Sequence, residues 1–152
     1  MQVADVMTPS VISVAPETSV REVAQLLTTH GLVGAPVIDR NEKLIGIVTQ
    51  ADLIVRDATV HFPRYIQILD SFIYFDRPKK TEEELRRALG VTAKDVMTSP
   101  VVTVTEATSI EDAATLMVDK SVNPVPVVRA GKVVGMLSRS DLVALIARDL
   151  GV

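Results

Sequence analysis

The sequence predicts an α/β fold: two pseudo-symmetric strand–helix–strand–strand–helix units packed as one module. Three observations carry this. Short blocks of residues recur in one order at a spacing of 90. Within each copy, β-branched runs alternate with segments that are apolar at helical spacing. Three strands and two helices would expose much apolar surface alone, so each copy needs the other as a packing partner.

The repeat organises the chain into residues 1–55, an insert at 56–91, and residues 92–152. Asp5-Val6-Met7-Thr8 returns as Asp95-Val96-Met97-Thr98, and Thr18-Ser19-Val20 as Thr108-Ser109-Ile110. Ala35-Pro36-Val37 returns as Val125-Pro126-Val127. After a one-residue deletion, Gly46-Ile47-Val48-Thr49-Gln50-Ala51-Asp52-Leu53 returns as Gly135-Met136-Leu137-Ser138-Arg139-Ser140-Asp141-Leu142. Two copies make a paired module, not a solenoid, which needs about three or more repeats.

Each element has a local reason. Val11-Ile12-Ser13-Val14 and Val101-Val102-Thr103-Val104 are β-branched and read as first strands. Ser19 with Glu22 is a capping-box pattern opening a helix; Ser109 with Asp112 is a weaker version. Val20, Val23, Ala24 and Leu27 make one apolar helical face, as do Ile110, Ala113, Ala114 and Met117. Strands follow around Pro36-Val37-Ile38 and Pro126-Val127-Val128. Polar turns, Asp39 to Glu42 and Arg129 to Gly131, lead into Leu44–Val48 and Val133–Leu137, a spacing that favours hairpins. A last helix starts near Thr49 or Ser138.

The insert differs in composition. It holds Pro63, Pro78 and a charged run, Lys79 to Glu84. All five aromatics lie in it: Phe62, Tyr65, Phe72, Tyr74 and Phe75. Glu82 to Leu89 reads as a helix capped by Thr81 and stopped by Gly90. Aromatics contribute strongly to packing and recognition, so the insert is expected to dock on the module, a second subunit or a ligand mouth.

Composition narrows function. The 152 residues are 47% hydrophobic and 23% charged, with a net charge of −3. That balance argues against non-specific binding to nucleic acid or an acidic membrane surface, which recruit positive charge. No cysteine is present, which excludes thiolate metal sites and a cysteine nucleophile. The two histidines, His30 and His61, stand far apart, so no metal site is expected. No apolar run approaches the ~20 residues of a membrane span. The N-terminus lacks a basic region followed by an apolar stretch, so a cytoplasmic location is expected.

The sharpest motif is Gly-x-x-Thr/Ser-x-x-Asp, at Gly46–Asp52 and Gly135–Asp141. Thr49 and Ser138 are natural helix caps, and a carboxylate three residues on completes a capping box. The same geometry suits a nucleotide. A helix start favours phosphate, and a carboxylate can accept hydrogen bonds from ribose hydroxyls. Gly46 and Gly135 would let another group approach the backbone closely. No phosphate-loop pattern is present.

This paired pattern resembles the tandem cystathionine-β-synthase domain pair, the CBS pair or Bateman module. The Asp-Val-Met-Thr opening, the Pro-Val strand and the Gly-x-x-Thr/Ser-x-x-Asp junction carry the resemblance, at about residues 1–55 and 92–150. It implies two clefts between the copies, able to bind AMP, ADP, ATP or S-adenosylmethionine, and association into a homodimer. Each cleft would join one copy's junction to the first strand and pre-Pro-Val segment of the other. The first would hold Thr8, Ile12, Leu32, Val33, Met136, Ser138 and Asp141. The second would hold Ile47, Thr49, Asp52, Thr98, Val102, Val122 and Asn123. Apolar members would sandwich adenine, although Ile12, Val102, Leu32 and Val122 also read simply as core.

The two clefts are expected to differ in affinity, because Arg139 stands in one junction where Gln50 stands in the other. Near the phosphates the family pattern favours basic residues; here that region offers His30 and Lys120. His30, at a helix end, reads as a dipole partner or phosphate neighbour. No catalytic residues, no obligatory cofactor and no metal are expected, save Mg²⁺ with a polyphosphate. The expected function is a regulatory adenosine-nucleotide sensor read by a separate effector protein. The alternatives are a homodimeric interaction scaffold with vestigial clefts and a small nucleotide-processing enzyme.

Overall fold

The computed structural model describes residues 1–55 and 91–149. The aromatic insert, its expected helix and His61 lie outside the described residues. A 3-10 turn at Val3–Asp5 opens the chain. The first copy continues with α1 (Val20–His30), β1 (Gly34–Ile38), β2 (Leu44–Thr49) and α2 (Gln50–Val55). The second has α3 (Ala93–Val96), α4 (Ile110–Asp119), β3 (Val125–Arg129), β4 (Lys132–Leu137) and α5 (Arg139–Asp149).

The helices start where side chains can satisfy orphan backbone N–H groups. Ser19 Oγ accepts from Glu22 N, and the Glu22 carboxylate accepts from Ser19 N, a complete capping box. Ser109 accepts from Asp112 N without the reciprocal bond. The inward faces are the expected ones: Val20, Val23 and Leu27 on α1, Ala113 and Met117 on α4.

β1 and β2 form an antiparallel hairpin, as do β3 and β4. Each carries an irregularity at the same place, between Val37 and Ile38 and between Val127 and Val128. The first strands expected at Val11–Val14 and Val101–Val104 are not strands. Each is reduced to one parallel bridge, Val14 to Val37 and Val104 to Val127. Proline is the reason. Val14 N donates to Pro36 O and Ile38 N donates to Val14 O. The next bond of a parallel ladder would need an N–H at Pro36, which has none. Pro126 stops the second copy in the same way: Val104 N donates to Pro126 O, Val128 N to Val104 O, and there the ladder ends.

The two opening turns are exchanged between copies. Val3 is fully buried in the core made by Val104, Ala113, Met117, Val125, Val127 and Leu137. Ala93 and Val96 are buried in the other core, among Val14, Val20, Val23, Leu27, Ala35, Val37 and Val48. Backbone bonds fix each turn on its host: Val3 N to Thr108 O at 2.9 Å and Ala93 N to Thr18 O at 2.7 Å. The acidic residue of each Asp-Val-Met-Thr block caps its own turn, since Asp5 accepts from Gln2 N and Asp95 from Thr92 N, both at 2.8 Å.

The methionine of the same block explains the junction glycines. A Cβ on Gly135 would lie 2.6 Å from Met7 Sδ, and one on Gly46 would lie closer still to Met97 Sδ. The close approach foreseen at both glycines is therefore made by the other copy's methionine. Beyond it the chains pair directly: Thr8 with Met136, and Ile47 with Thr98.

Candidate functional site

These two bridges set the clefts. Each brings a β-strand end of one copy, with the helix start that follows it, against the segment after the other copy's opening turn.

The larger cleft, about 500 Å³, lies at the first junction. Ile47, Thr49, Asp52, Thr98, Val102, Val122 and Asn123 all line it. The smaller, about 180 Å³, lies at the second junction. Thr8, Ile12, Leu32, Val33, Met136, Ser138 and Asp141 all line it. The sequence grouping thus brings together both sets of residues. Val33 and Pro124 line both clefts, so the two cavities share a wall. Leu32 and Val122 serve twice, packing against the cores while facing the cavities.

The junction carboxylates reconcile cap and cleft. Asp52 Oδ2 accepts from Thr49 N at 2.8 Å and Thr49 Oγ1 at 3.1 Å, and Thr49 Oγ1 accepts from Asp52 N. Asp141 Oδ2 accepts from Ser138 N at 2.7 Å and Ser138 Oγ at 2.8 Å. Both are capping boxes closed through one oxygen, which leaves Oδ1. In the larger cleft Asp52 Oδ1 accepts from Thr98 Oγ1 at 2.9 Å, a bond between copies. A carboxylate oxygen has two acceptor sites, so each Asp keeps acceptor capacity on Oδ1 for a ligand hydroxyl.

Arg139 corrects the sequence reading. The sequence places it in one junction and Gln50 in the other, yet Arg139 and Gln50 line the same, larger cleft. Arg139, the first residue of α5, lines that cleft and not the one lined by Ser138 and Asp141. Asn123 Oδ1 accepts from Arg139 N at 3.0 Å. In the first copy the backbone does this job, with Val33 O accepting from Gln50 N at 2.8 Å and Leu32 O from Gln50 Nε2 at 3.1 Å. Lys120, which the family pattern expects near the phosphates, lines the larger cleft, and so do Pro100, Val101 and Ser121, which the sequence does not single out. For those three the only signal is their nearness to Val102 and Val122 in sequence. His30 closes α1 and lines neither cleft.

A third cavity, wide and shallow, lies between the two hairpin turns and measures about 840 Å³. It contains no junction carboxylate; across it Lys132 and Glu42 make an ion pair between copies at 2.8 Å. Among the described residues no group of three His, Cys, Asp or Glu could hold a metal ion. No helix there is long and apolar enough to cross a membrane.

Two interlocked hairpin-and-helix units with a cavity at each strand–helix junction define a paired module with two clefts between its copies. The CBS domain model matches the chain twice, at residues 3–58 and 93–148. The chain belongs to the CBS domain family, as a tandem pair.

Individual relatives agree with this. The CBS domain-containing protein CBSX2, chloroplastic, of Arabidopsis thaliana is 35% identical over 148 residues, covering 93% of this chain; the chain spans 61% of that protein's length. Uncharacterized protein MJ1426 of Methanocaldococcus jannaschii is 32% identical over 152 residues, covering 94% of this chain and 89% of its own. Among solved structures, CBSX2 in complex with AMP is similar at TM-score 0.71 and 29% identity, covering 97% of each chain. The CBS domain pair of protein MJ0100, in complex with 5'-methylthioadenosine and S-adenosyl-L-methionine, shares the fold at TM-score 0.71 and 23% identity, covering 98% of each chain.

Proposed function

We propose that the chain is a regulatory module that binds an adenosine ligand, AMP, ADP, ATP or S-adenosylmethionine, in a cleft between its two copies. The observation that carries this reading is the division of labour within each junction carboxylate. One oxygen caps the helix and the other takes no part in the cap, in a residue that lines the cavity with apolar side chains from both copies, so a ribose hydroxyl can donate to it. The AMP complex of CBSX2 supports the adenosine class. Because each cleft is made from both copies, a bound ligand has contacts that depend on their relative orientation. Differential affinity of that kind is what lets a ligand shift a conformational equilibrium, and a separate effector protein would read the shift.

The chain is proposed to work as a homodimer. Helix α5 has no buried residue, and Val143 and Ile146 on it are exposed along with Ile54 on α2. Sedimentation at increasing protein concentration should show the dimer.

Thermal unfolding with AMP, ADP, ATP and S-adenosylmethionine tests the function, with guanosine and adenine as controls. At a concentration near 100 Kd one site stabilises by about 2.7 kcal/mol. For a chain of this size that is roughly a 5–10 °C rise in Tm. A rise with adenosine ligands only is the expected result. No rise with any of them at millimolar concentration would move the function to an interaction scaffold.

A further inference from the structure

We infer that the third cavity is a docking groove for an extended, acidic peptide segment of a partner protein, which adds its backbone to the free strand edge at Ser99–Thr103 and senses the larger cleft through the wall the two cavities share. The link to ligand rests on the adenosine reading above. It adds where an effector attaches and what chemistry attaches it.

The backbone carries this furthest. Ser99–Thr103 is strung between two bridges, Thr98 to Ile47 of the first hairpin and Val104 to Val127 of the second. The stretch Val101-Val102-Thr103 is β-branched throughout, yet the ladder it would extend ends at Pro126. Among the described residues, no backbone group of Ser99–Thr103 makes a hydrogen bond. Free donors and acceptors along a strand-forming stretch are what an incoming strand satisfies.

The side chains of this stretch divide between two cavities. Ser99 and Thr103 line the third cavity, Val102 lines the larger cleft, and Pro100 and Val101 line both. The stretch is therefore the wall between them. The matching stretch of the first copy, Pro9–Ser13, contributes nothing to the third cavity; its Ser10 and Ile12 line the smaller cleft instead.

The groove suits a peptide in shape and charge. It is open, and about 840 Å³ in volume. Leu44, Ile45, Val101 and Val128 on its lining are half-buried and can receive the alternate apolar side chains of a strand. Its charged members are Glu42, Lys43 and Lys132. Glu42 pairs with Lys132, and among the described residues Lys43 takes part in no ion pair. In a chain of net charge −3 this lining is net positive, which favours a carboxylate on the partner over a cation.

Selection of short random peptides displayed on phage against the immobilised whole chain tests this, followed by titration of the enriched peptide made synthetically. Enriched peptides should carry apolar residues at alternate positions and at least one Asp or Glu. Lys43→Glu should weaken the peptide by about tenfold or more, while Lys43→Arg keeps it. Lys43 is exposed, so neither change touches a core, which circular dichroism checks. N-methylating the peptide at every second residue should abolish binding in one of the two possible settings, because only alternate amides face the edge. No enrichment, equal affinity for Lys43→Glu and the native chain, or indifference to both N-methylated peptides would each overturn the inference. So would a consensus that reproduces a stretch of this chain, since the occupant would then be the chain itself. Saturating AMP should change the peptide Kd by about fivefold or more, and the peptide should change the AMP Kd by the same factor. AMP that binds without affecting the peptide would overturn the link through the shared wall and leave the adenosine reading standing. Absence of AMP binding would overturn the adenosine reading and the link with it, while the groove stands on the peptide results.

Discussion

Replacing Gly135 by alanine tests whether the junction glycine exists for the other copy's methionine. The added Cβ would sit 2.6 Å from Met7 Sδ, 3.2 Å from Met7 Cγ and 3.1 Å from Thr8 O, where ordinary contact begins at 3.4 Å. The sulfur can turn aside, but Thr8 O cannot, because it accepts from Met136 N at 2.9 Å in the bridge between copies. Overpacking of this kind costs about 1–3 kcal/mol. That corresponds to a fall in Tm of roughly 3–10 °C for a domain of this length. The assay is thermal unfolding of Gly135→Ala, Met7→Ala and the double variant. Each single change should destabilise, the first by overlap and the second by lost packing. The double variant should be less destabilised than their sum by about 1 kcal/mol, since Met7→Ala removes the atoms that the new Cβ meets. Additivity within about 0.5 kcal/mol would refute the reasoning. So would a neutral Gly135→Ala that abolishes ligand binding, because the glycine would then serve the ligand instead.

Two further outcomes follow from the bonds between copies. Asp52→Ala should cost more than Asp141→Ala in urea denaturation, by about 0.5–1.5 kcal/mol, because Asp52 loses the Thr98 bond as well as its cap; in a Thr98→Val background the difference should vanish. The Lys132–Glu42 pair should stabilise the module only between the carboxylate and lysine ranges. Its hydrogen bond and charge hold the Glu42 pKa below, and the Lys132 pKa above, their ordinary values. The contribution is therefore present at neutral pH, lost as pH falls through the lowered Glu42 pKa, and lost again as pH rises through the raised Lys132 pKa. Stability–pH curves of the native chain and of Lys132→Gln should differ slightly at neutral pH and meet at both extremes, with the difference shrinking in salt.

What the sequence revealed was whatever is local or duplicated. Ser19 with Glu22, and Thr49 with Asp52, announce their caps because cap and partner lie within one helical turn. The cleft linings were legible because duplication and family resemblance together supply the pairing between copies. The first strands were overestimated because β-branched content says nothing about the neighbouring strand, and it is Pro36 and Pro126, more than 20 residues downstream, that end the ladder. The packing of Met7 on Gly135 was hidden for a different reason: two near-identical opening blocks fit either glycine as far as pattern goes, and only the three-dimensional arrangement decides. The cavity that Arg139 lines is not legible from its place in the Ser138–Asp141 junction, because the two cavities meet at a wall, lined on both sides by Val33 and Pro124, that has no sequence signature.

The exchanged turns make the chain a complementing pair. Residues 1–55 encode a core that lacks Ala93 and Val96, and residues 91–149 encode one that lacks Val3. Neither half specifies a finished unit, so neither can be excised, duplicated again or passed to another gene on its own without leaving a hole in what remains. A lesion at Val3 is felt as loosening of the unit encoded a hundred residues later.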